Sequence, residues 1–481
     1  MSESNLKQKT KVGIFWNLFE KIIVQIISFV LNIILARLLS PTDYGTLGLL
    51  SVFLIFSNVF VESGFSRALI QKRDCSEYDF STTLIFNIAI SCFLYAILFL
   101  CSPLIASFYK IPALVQIQRV FFLVIILNSL SVVQSAKLQI MVDFKSIAAV
   151  NSITTIVSGV IAVICAYWGL GIWALVIQAL LKAGVSSVCF WFLGHWVPKT
   201  SFSVQSFKQL FGFGSKLLVS GLLATGVSNL YNLVIGKLYD TERLGFYTRA
   251  QQFPELTSGT INSVFNTATF PLMSSIKDNR EDLVVTFTKL IRIVAMVVFP
   301  AMMGLAVLSK PIILVLLGEK WSPAAGFLFW LALSYIFTPL GGLNLSLLNA
   351  IGRSDLFLKV DMSKVPLILL TMAITFPVSL EAVVIGQAIV SLVYFYINAF
   401  MTGRLYNFGC FKQLLVIWKY IFAATCMAIL VYFISLFFST VVISLIIGIV
   451  SGIIIYCVLL LILQDEEFLF FLHKIIHRMH G

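Results

Sequence analysis

Apolar runs about twenty residues long, parted by short polar breaks, fill this sequence from residue 12 to residue 463. Such runs restrict the chain to membrane-spanning helices, because backbone amides in lipid must be satisfied within the segment that carries them. A transmembrane strand needs only about ten alternating residues, and these runs exceed that throughout. Composition agrees: 59% of the 481 residues are hydrophobic and 11% charged, where soluble domains are near half apolar and about a quarter charged. Breaking the chain at charge, Pro and Gly clusters gives about fourteen spans, starting at 12–36, 45–66 and 81–101, including 250–275 and 357–377, and ending at 414–437 and 440–463. The fold class is therefore an all-α integral membrane protein.

Most of the 33 Lys and Arg fall on the side of the membrane that would hold both termini. The positive-inside rule makes that side cytoplasmic. The net charge of +12 is thus a matter of topology, and no basic patch points to nucleic acid. Lys7, Lys9 and Lys11 precede an apolar run without a small-residue cleavage site, which reads as a retained first span. The eight cysteines show no CxxC spacing and lie mostly in apolar runs, so no disulfide framework is expected.

An internal repeat divides the chain. Ala36-Arg37-Leu38 followed by Gly45 recurs as Gly236-Lys237-Leu238 followed by Gly245, each copy closing one helix and opening the next. The offset implies two pseudo-symmetric six-helix lobes related by an axis along the membrane normal. The lobes are expected at 1–200 and 201–405, with two additional helices and a basic cytoplasmic tail in 406–481. Gly448 and Gly452 give the last helix a flat face for close packing.

The first span carries polarity where lipid forbids it. Asn17, Lys21 and Gln25 share one helical face, continued by Ser28 and Asn32, with Glu20 beside them. Helix two adds Asn58 and Glu62, helix six adds Lys182, and helix seven adds Asn229 and Asn232. Helix eight carries Arg249, Gln252, Glu255 and a run of further hydroxyls and amides. Charge at the bilayer centre costs several kcal/mol unless it faces a bundle interior or a wet cavity. Two readings follow: interhelical hydrogen bonds that tie the bundle together, at about 0.6 kcal/mol each, or a central aqueous cavity between two halves. The cations suit an anionic ligand, and phosphate is gripped strongly at low dielectric. Glu20, Glu62 and Glu255 would restrain those cations or titrate with a coupling ion, which is left open among proton, sodium and none.

Other motifs point nowhere specific. His473, His477 and His480 have helical spacing, but Lys474 and Arg478 among them suit a basic interfacial helix better than a metal site. Asp43 is a lone acid in the first outer loop. No nucleotide-binding loop, nucleophile set or cofactor motif stands out. These features favour a transporter over an enzyme.

Several stretches are similar to a known family: "ARLLSPTDYGTLGLLSVF" (36–53), "FSRALIQKRD" (65–74), "GLGIWALVIQALLKA" (169–183), "YNLVIGKLYDTERLGFYTRAQQFPEL" (231–256), "TFPLMSSIKD" (269–278) and "NAIGRSDLFLK" (349–359). In this order they resemble the WzxC-like polysaccharide exporters of the multidrug/oligosaccharidyl-lipid/polysaccharide flippase superfamily, over most of residues 10–405. The resemblance implies that undecaprenyl-diphosphate-linked oligosaccharide is moved from the cytoplasmic to the periplasmic leaflet of a bacterial inner membrane by alternating access. It implies roles in O-antigen, capsule or exopolysaccharide biosynthesis, with polymerase and assembly proteins as partners. By the same resemblance Lys21, Lys182 and Arg249 would contact diphosphate or sugar, and Arg37 and Lys237 would stand near an outer gate. Related peptidoglycan-precursor flippases carry several arginines in their first two helices, where here only Lys21 lies deep. A small-molecule exporter on the same fold, or a membrane sugar polymerase or transferase using Asp43, are the alternatives.

Overall fold

A computed structural model describes residues 24–479 apart from 64 and 73, and at 62–63, 67, 71, 213, 216–217, 266–268, 270–271 and 475–479 it describes the backbone alone. Asn17, Glu20 and Lys21 lie outside the described residues, as do His480 and the side chains of Glu62 and His477. Among the described residues the chain is helical throughout and contains no strand.

Two compact units divide the chain at 245 and 246. The first holds α1 (Val24–Leu38), α2 (Pro41–Ser63), α3 (Phe65–Gln71), α4 (Glu77–Leu100), α5 (Ser102–Tyr109), α6 (Leu114–Phe121), α7 (Leu123–Ile140), α8 (Phe144–Tyr167), α9 (Ile172–Gly194), α10 (Val204–Leu238) and the start of α11 (Thr241–Ser275). The second holds the remainder of α11, then α12 (Arg280–Val307), α13 (Ser309–Leu316), α14 (Ala324–Tyr335), α15 (Thr338–Ala350) and α16 (Ser354–Met362). It ends with α17 (Val365–Thr375), α18 (Leu380–Tyr406), α19 (Cys410–Leu436), α20 (Val441–Ile462) and α21 (Glu466–Met479). Within the first unit α10 packs along α2, α3 and α4; within the second, α19 and α20 pack on α12.

Eleven of the described helical stretches are long and apolar enough to cross a membrane. Three of the expected spans are not among them. α1 is described only from Val24. α11 is 35 residues long, but its hydroxyls and amides make it too polar to count as a lipid-facing span. The expected span at 357–377 is broken between α16 and α17, where Pro366, in the first turn of α17, has no N–H to carry the helix ladder of α16 onward.

Helix starts follow from short polar side chains. Ser76 caps α4 in a reciprocal box: its hydroxyl accepts from the Asp79 amide, and the Asp79 carboxylate accepts from the Ser76 amide at 2.9 Å. Asp143, Ser203, Asn279 and Ser379 cap α8, α10, α12 and α18 in the simpler manner. α18 stops at Asn407, which turns left-handed at φ 54°.

Because lipid is as apolar as a leucine side chain, close packing rather than apolar transfer holds such helices together. Glycines let them approach. A β-carbon on Gly159 of α8 would collide with Leu31 of α1, and one on Gly236 of α10 with Leu49 of α2. Gly448 lies against Leu308, where a β-carbon would come within 2.7 Å, and Gly452 lies against Val431 and Met427 of α19. The flat face expected on α20 is thus used for packing.

Candidate functional site

Polar residues of the spans fall into three groups by what they touch. Some close on their own helix: Asn32 donates to the Ser28 carbonyl at 2.8 Å, Asn229 to Thr225 at 3.0 Å and Ser228 to Ala224 at 2.8 Å. These bonds satisfy donors on carbonyls one turn back and tie no helices together.

Others bridge helices. Asn58 of α2 accepts from Asn128 of α7 at 3.3 Å. In the second unit, Gln251 of α11 donates to the Tyr335 hydroxyl at 3.1 Å, and the Gln387 amide of α18 donates to the Tyr247 hydroxyl at 3.1 Å. Arg249, buried in α11, donates to the side-chain oxygen of Gln252 one turn on, and Glu255 lies close to Tyr335. Arg249, Gln251, Gln252 and Glu255 therefore share one stretch of α11, which Gln251 joins to Tyr335 of α14. Tyr335 and Gln387 carry no charge and lie in none of the quoted stretches, and Tyr247 is an uncharged residue of one, so only the fold brings them together here.

The third group lines a cavity. A space of about 380 Å³ inside the first unit is walled by Val24, Leu54, Asn128, Asn151, Thr154 and Lys182, from α1, α2, α7, α8 and α9. Lys182 sits midway along α9 and has no partner among the described residues. Thr154, nearly fully buried, presents a hydroxyl without a protein partner among the described residues. The hydroxyls and amides offer donors, and Lys182 supplies a positive charge, so the cavity is built for something anionic or strongly hydrated. Sequence alone placed Asn58 and Lys182 on separate helices; the fold joins them through Asn128, which bonds the one and shares a cavity wall with the other. Gln25 is half-buried on α1, and Asn232 keeps a buried side-chain oxygen without a protein partner among the described residues.

The residues expected near an outer gate or loop split. Arg37 is exposed at the end of α1. Lys237 donates to the Phe108 carbonyl at 2.7 Å and lies 3.6 Å above the Phe108 ring, so it fastens α10 to α5. Asp43 accepts from both the amide and the hydroxyl of Ser40, at 2.9 and 2.7 Å, and caps α2 as Asp79 caps α4.

A second cavity, wholly apolar in character, opens in the second unit between α12, α19 and α20. It measures about 520 Å³, and Pro300, Gly304, Gly448, Gly452, Tyr456 and Phe468 form part of its wall. Its shape follows from glycines on both sides and from Pro300. That residue has no N–H, so it frees the Met296 carbonyl, which accepts from the Tyr456 hydroxyl at 2.9 Å.

A model of the family described as polysaccharide biosynthesis protein matches residues 34–326. The chain belongs to this family. Among curated members of comparable length, the family chain is 27% identical to the teichuronic acid biosynthesis protein TuaB of Bacillus subtilis, over 72% of each. It is 24% identical to the lipopolysaccharide biosynthesis protein WzxC of Escherichia coli, over 75% of this chain and 74% of that one. A putative O-antigen transporter of Shigella flexneri is 23% identical, with 71% and 85% covered.

In fold, this family member is similar to the lipid II flippase MurJ in its inward closed conformation, with a TM-score of 0.73 at 15% identity over 94% of this chain and all of that one. An inward-facing multidrug resistance MATE transporter matches with a TM-score of 0.61 at 16% identity, over 79% and 96%. Identities this low show the shared fold alone.

Proposed function

We propose that this protein is a lipid-linked oligosaccharide flippase of surface polysaccharide biosynthesis. It moves undecaprenyl-diphosphate-linked repeat units from the cytoplasmic to the periplasmic leaflet of a bacterial inner membrane. Both termini are cytoplasmic, and two lobes at 1–200 and 201–405 alternate in access, with the helices of 406–481 appended. The observation that carries the reading is the presence of cations deep in the spans, Lys182 within its polar cavity and Arg249 within α11, in a family whose named members serve polysaccharide biosynthesis.

The chemistry divides between polar and apolar surfaces. Asn17, Glu20, Lys21, Gln25, Asn58, Glu62 and Lys182 on one lobe, and Asn229, Asn232, Arg249, Gln252 and Glu255 on the other, take the diphosphate and sugars. Cations favour phosphate, and amides suit hydroxyl-rich rings. The apolar cavity between α12, α19 and α20 supports a place for the isoprenoid chain, which offers no hydrogen bonds and needs none. Arg37 and Lys237 act at the outer gate. No covalent bond changes, so the work is transport. The capping role of Asp43 is an argument against a transferase that would use it as a base.

Mass spectrometry of lipid-linked oligosaccharides in a deletion strain, resolved by leaflet, tests this. Complete repeat units trapped on the cytoplasmic face are expected. Repeat units outside in normal amount would remove the flippase reading, and drug sensitivity in the same strain would favour a small-molecule exporter, a reading the MATE-like fold supports.

A further inference from the structure

Thr83, Asn87 and Ser91 recur at four-residue spacing on α4 and share one face. None exposes any surface. Hydroxyls in other helices of this protein close on the carbonyl one turn back: Thr46 on Thr42, Ser51 on Leu47, Ser57 on Phe53 and Thr371 on Leu367, all at 2.7 to 2.9 Å. Thr83 and Ser91 do not. Their hydroxyls, and both amide atoms of Asn87, have no protein partner among the described residues. The neighbouring face of the same helix is satisfied, since Ser81 accepts from Thr200 at 3.0 Å and Thr82 accepts from the Ser203 amide at 2.9 Å. The unmet groups are confined to a single stripe.

An unmet buried polar group costs about 1–3 kcal/mol, so four on one face cannot stand as a passive packing defect. Something supplies their partners, and magnitudes choose between an ion and water. A bare cation among neutral groups in a low-dielectric interior is costly unless a carboxylate balances it. The nearest acid, Asp79 one turn before Thr83, is already balanced by Lys72 at 2.6 Å and accepts from the Ser76 amide at 2.9 Å through the same oxygen, so its other, buried oxygen is one more acceptor for water at the start of the stripe. Water carries no such penalty: it loses at most about 2 kcal/mol of freedom and returns two to four hydrogen bonds. Hydroxyls and amides both donate and accept, as a water partner requires.

We propose that Thr83, Asn87 and Ser91 bind a file of internal water molecules, about 12 Å long, running from the Asp79 end of α4 toward the middle of the bilayer. The file hydrates the interior of the first unit along a face distinct from the Lys182 cavity. It does not depend on what the protein transports.

The test uses the full chain in lipid nanodiscs and X-ray hydroxyl-radical footprinting, in which bound internal water oxidises adjacent side chains that bulk solvent cannot reach. Leu84, buried on α4, is expected to label several-fold faster than Leu331, equally buried on α14. Asn87→Leu should bring Leu84 down to the Leu331 rate. The isosteric Thr83→Val should lower the melting temperature, because the waters lose a partner. Equal labelling of Leu84 and Leu331 in the wild type would overturn the proposal, as would a Thr83→Val chain that melts higher, the outcome for a dry unmet hydroxyl.

Discussion

Gly45 of α2 and Gly245 of α11 meet backbone to backbone: a β-carbon on Gly45 would stand 3.0 Å from the Gly245 nitrogen, and one on Gly245 would stand 3.2 Å from the Gly45 nitrogen. Each would also collide with a carbonyl at the start of the other helix, Thr241 for Gly45 and Pro41 for Gly245. The two residues occupy equivalent places in the repeat, and their helices begin alike, with Ser40 and Asp240 capping through bonds to Asp43 and Arg243. Repeat symmetry has brought two copies of one position into contact.

Gly45→Ala and Gly245→Ala should therefore each be more damaging than alanine at most helix positions. The collision is with backbone, which no rotamer change relieves, and overpacking of this kind costs about 1–3 kcal/mol. A lowered melting temperature together with reduced surface polysaccharide is expected for both. Wild-type stability in either variant would show that the helices part freely here.

How far the sequence foretold this arrangement depends on the residue. The repeat was legible because both copies keep Gly at one offset, and the polarity of α11 was legible from spacing alone. What Asn32, Ser228 and Asn229 do was not, because spacing gives a face but not a rotamer, and each folds back on its own helix. The Lys182 cavity was half legible. Its charge stood out in an apolar run, whereas Asn128, Asn151 and Thr154 come from helices whose mutual packing no local pattern encodes. The break between α16 and α17 was signalled by Pro366 but masked by the apolar residues around it.

Lys182 tests the polar cavity. Lys182→Glu should cut glycan export more than about tenfold while the protein persists in the membrane, since a charge-assisted contact is worth about 1.5–3 kcal/mol and here its sign is reversed. Lys182→Arg should retain part of the activity. Immunoblotting of membranes beside surface-polysaccharide staining reads both, and normal glycan in Lys182→Glu would exclude the cavity from transport.

Asn344 and Gln413 form a reciprocal amide pair with no exposed surface, bonded at 3.0 and 2.9 Å, and each bonds a further carbonyl, of Leu340 and Phe408. The pair fastens α15 to α19. Replacing Gln413 alone by Leu should destabilise by about 1–3 kcal/mol, because the Asn344 amide loses its partner in a dry site. Replacing both by Leu should recover most of that loss. Thermal unfolding in detergent measures the difference, and additive single and double losses would mean that the pair is not a unit.

Pro300 and Tyr456 should likewise be coupled, with a sign fixed by the helix ladder. Tyr456→Phe removes the hydroxyl that donates to the Met296 carbonyl, and should cost on the order of 1 kcal/mol. Pro300→Ala restores the N–H that a continuous α12 would direct at that same carbonyl. In the Pro300→Ala background Tyr456→Phe should therefore cost less, by about 0.5 kcal/mol or more, which a double-mutant cycle resolves. Both residues wall the apolar cavity, so chain export should fall in Pro300→Ala even if stability rises. An uncoupled cycle would show that Tyr456 holds α20 through packing alone, and that the carbonyl freed by Pro300 has no part in building the groove.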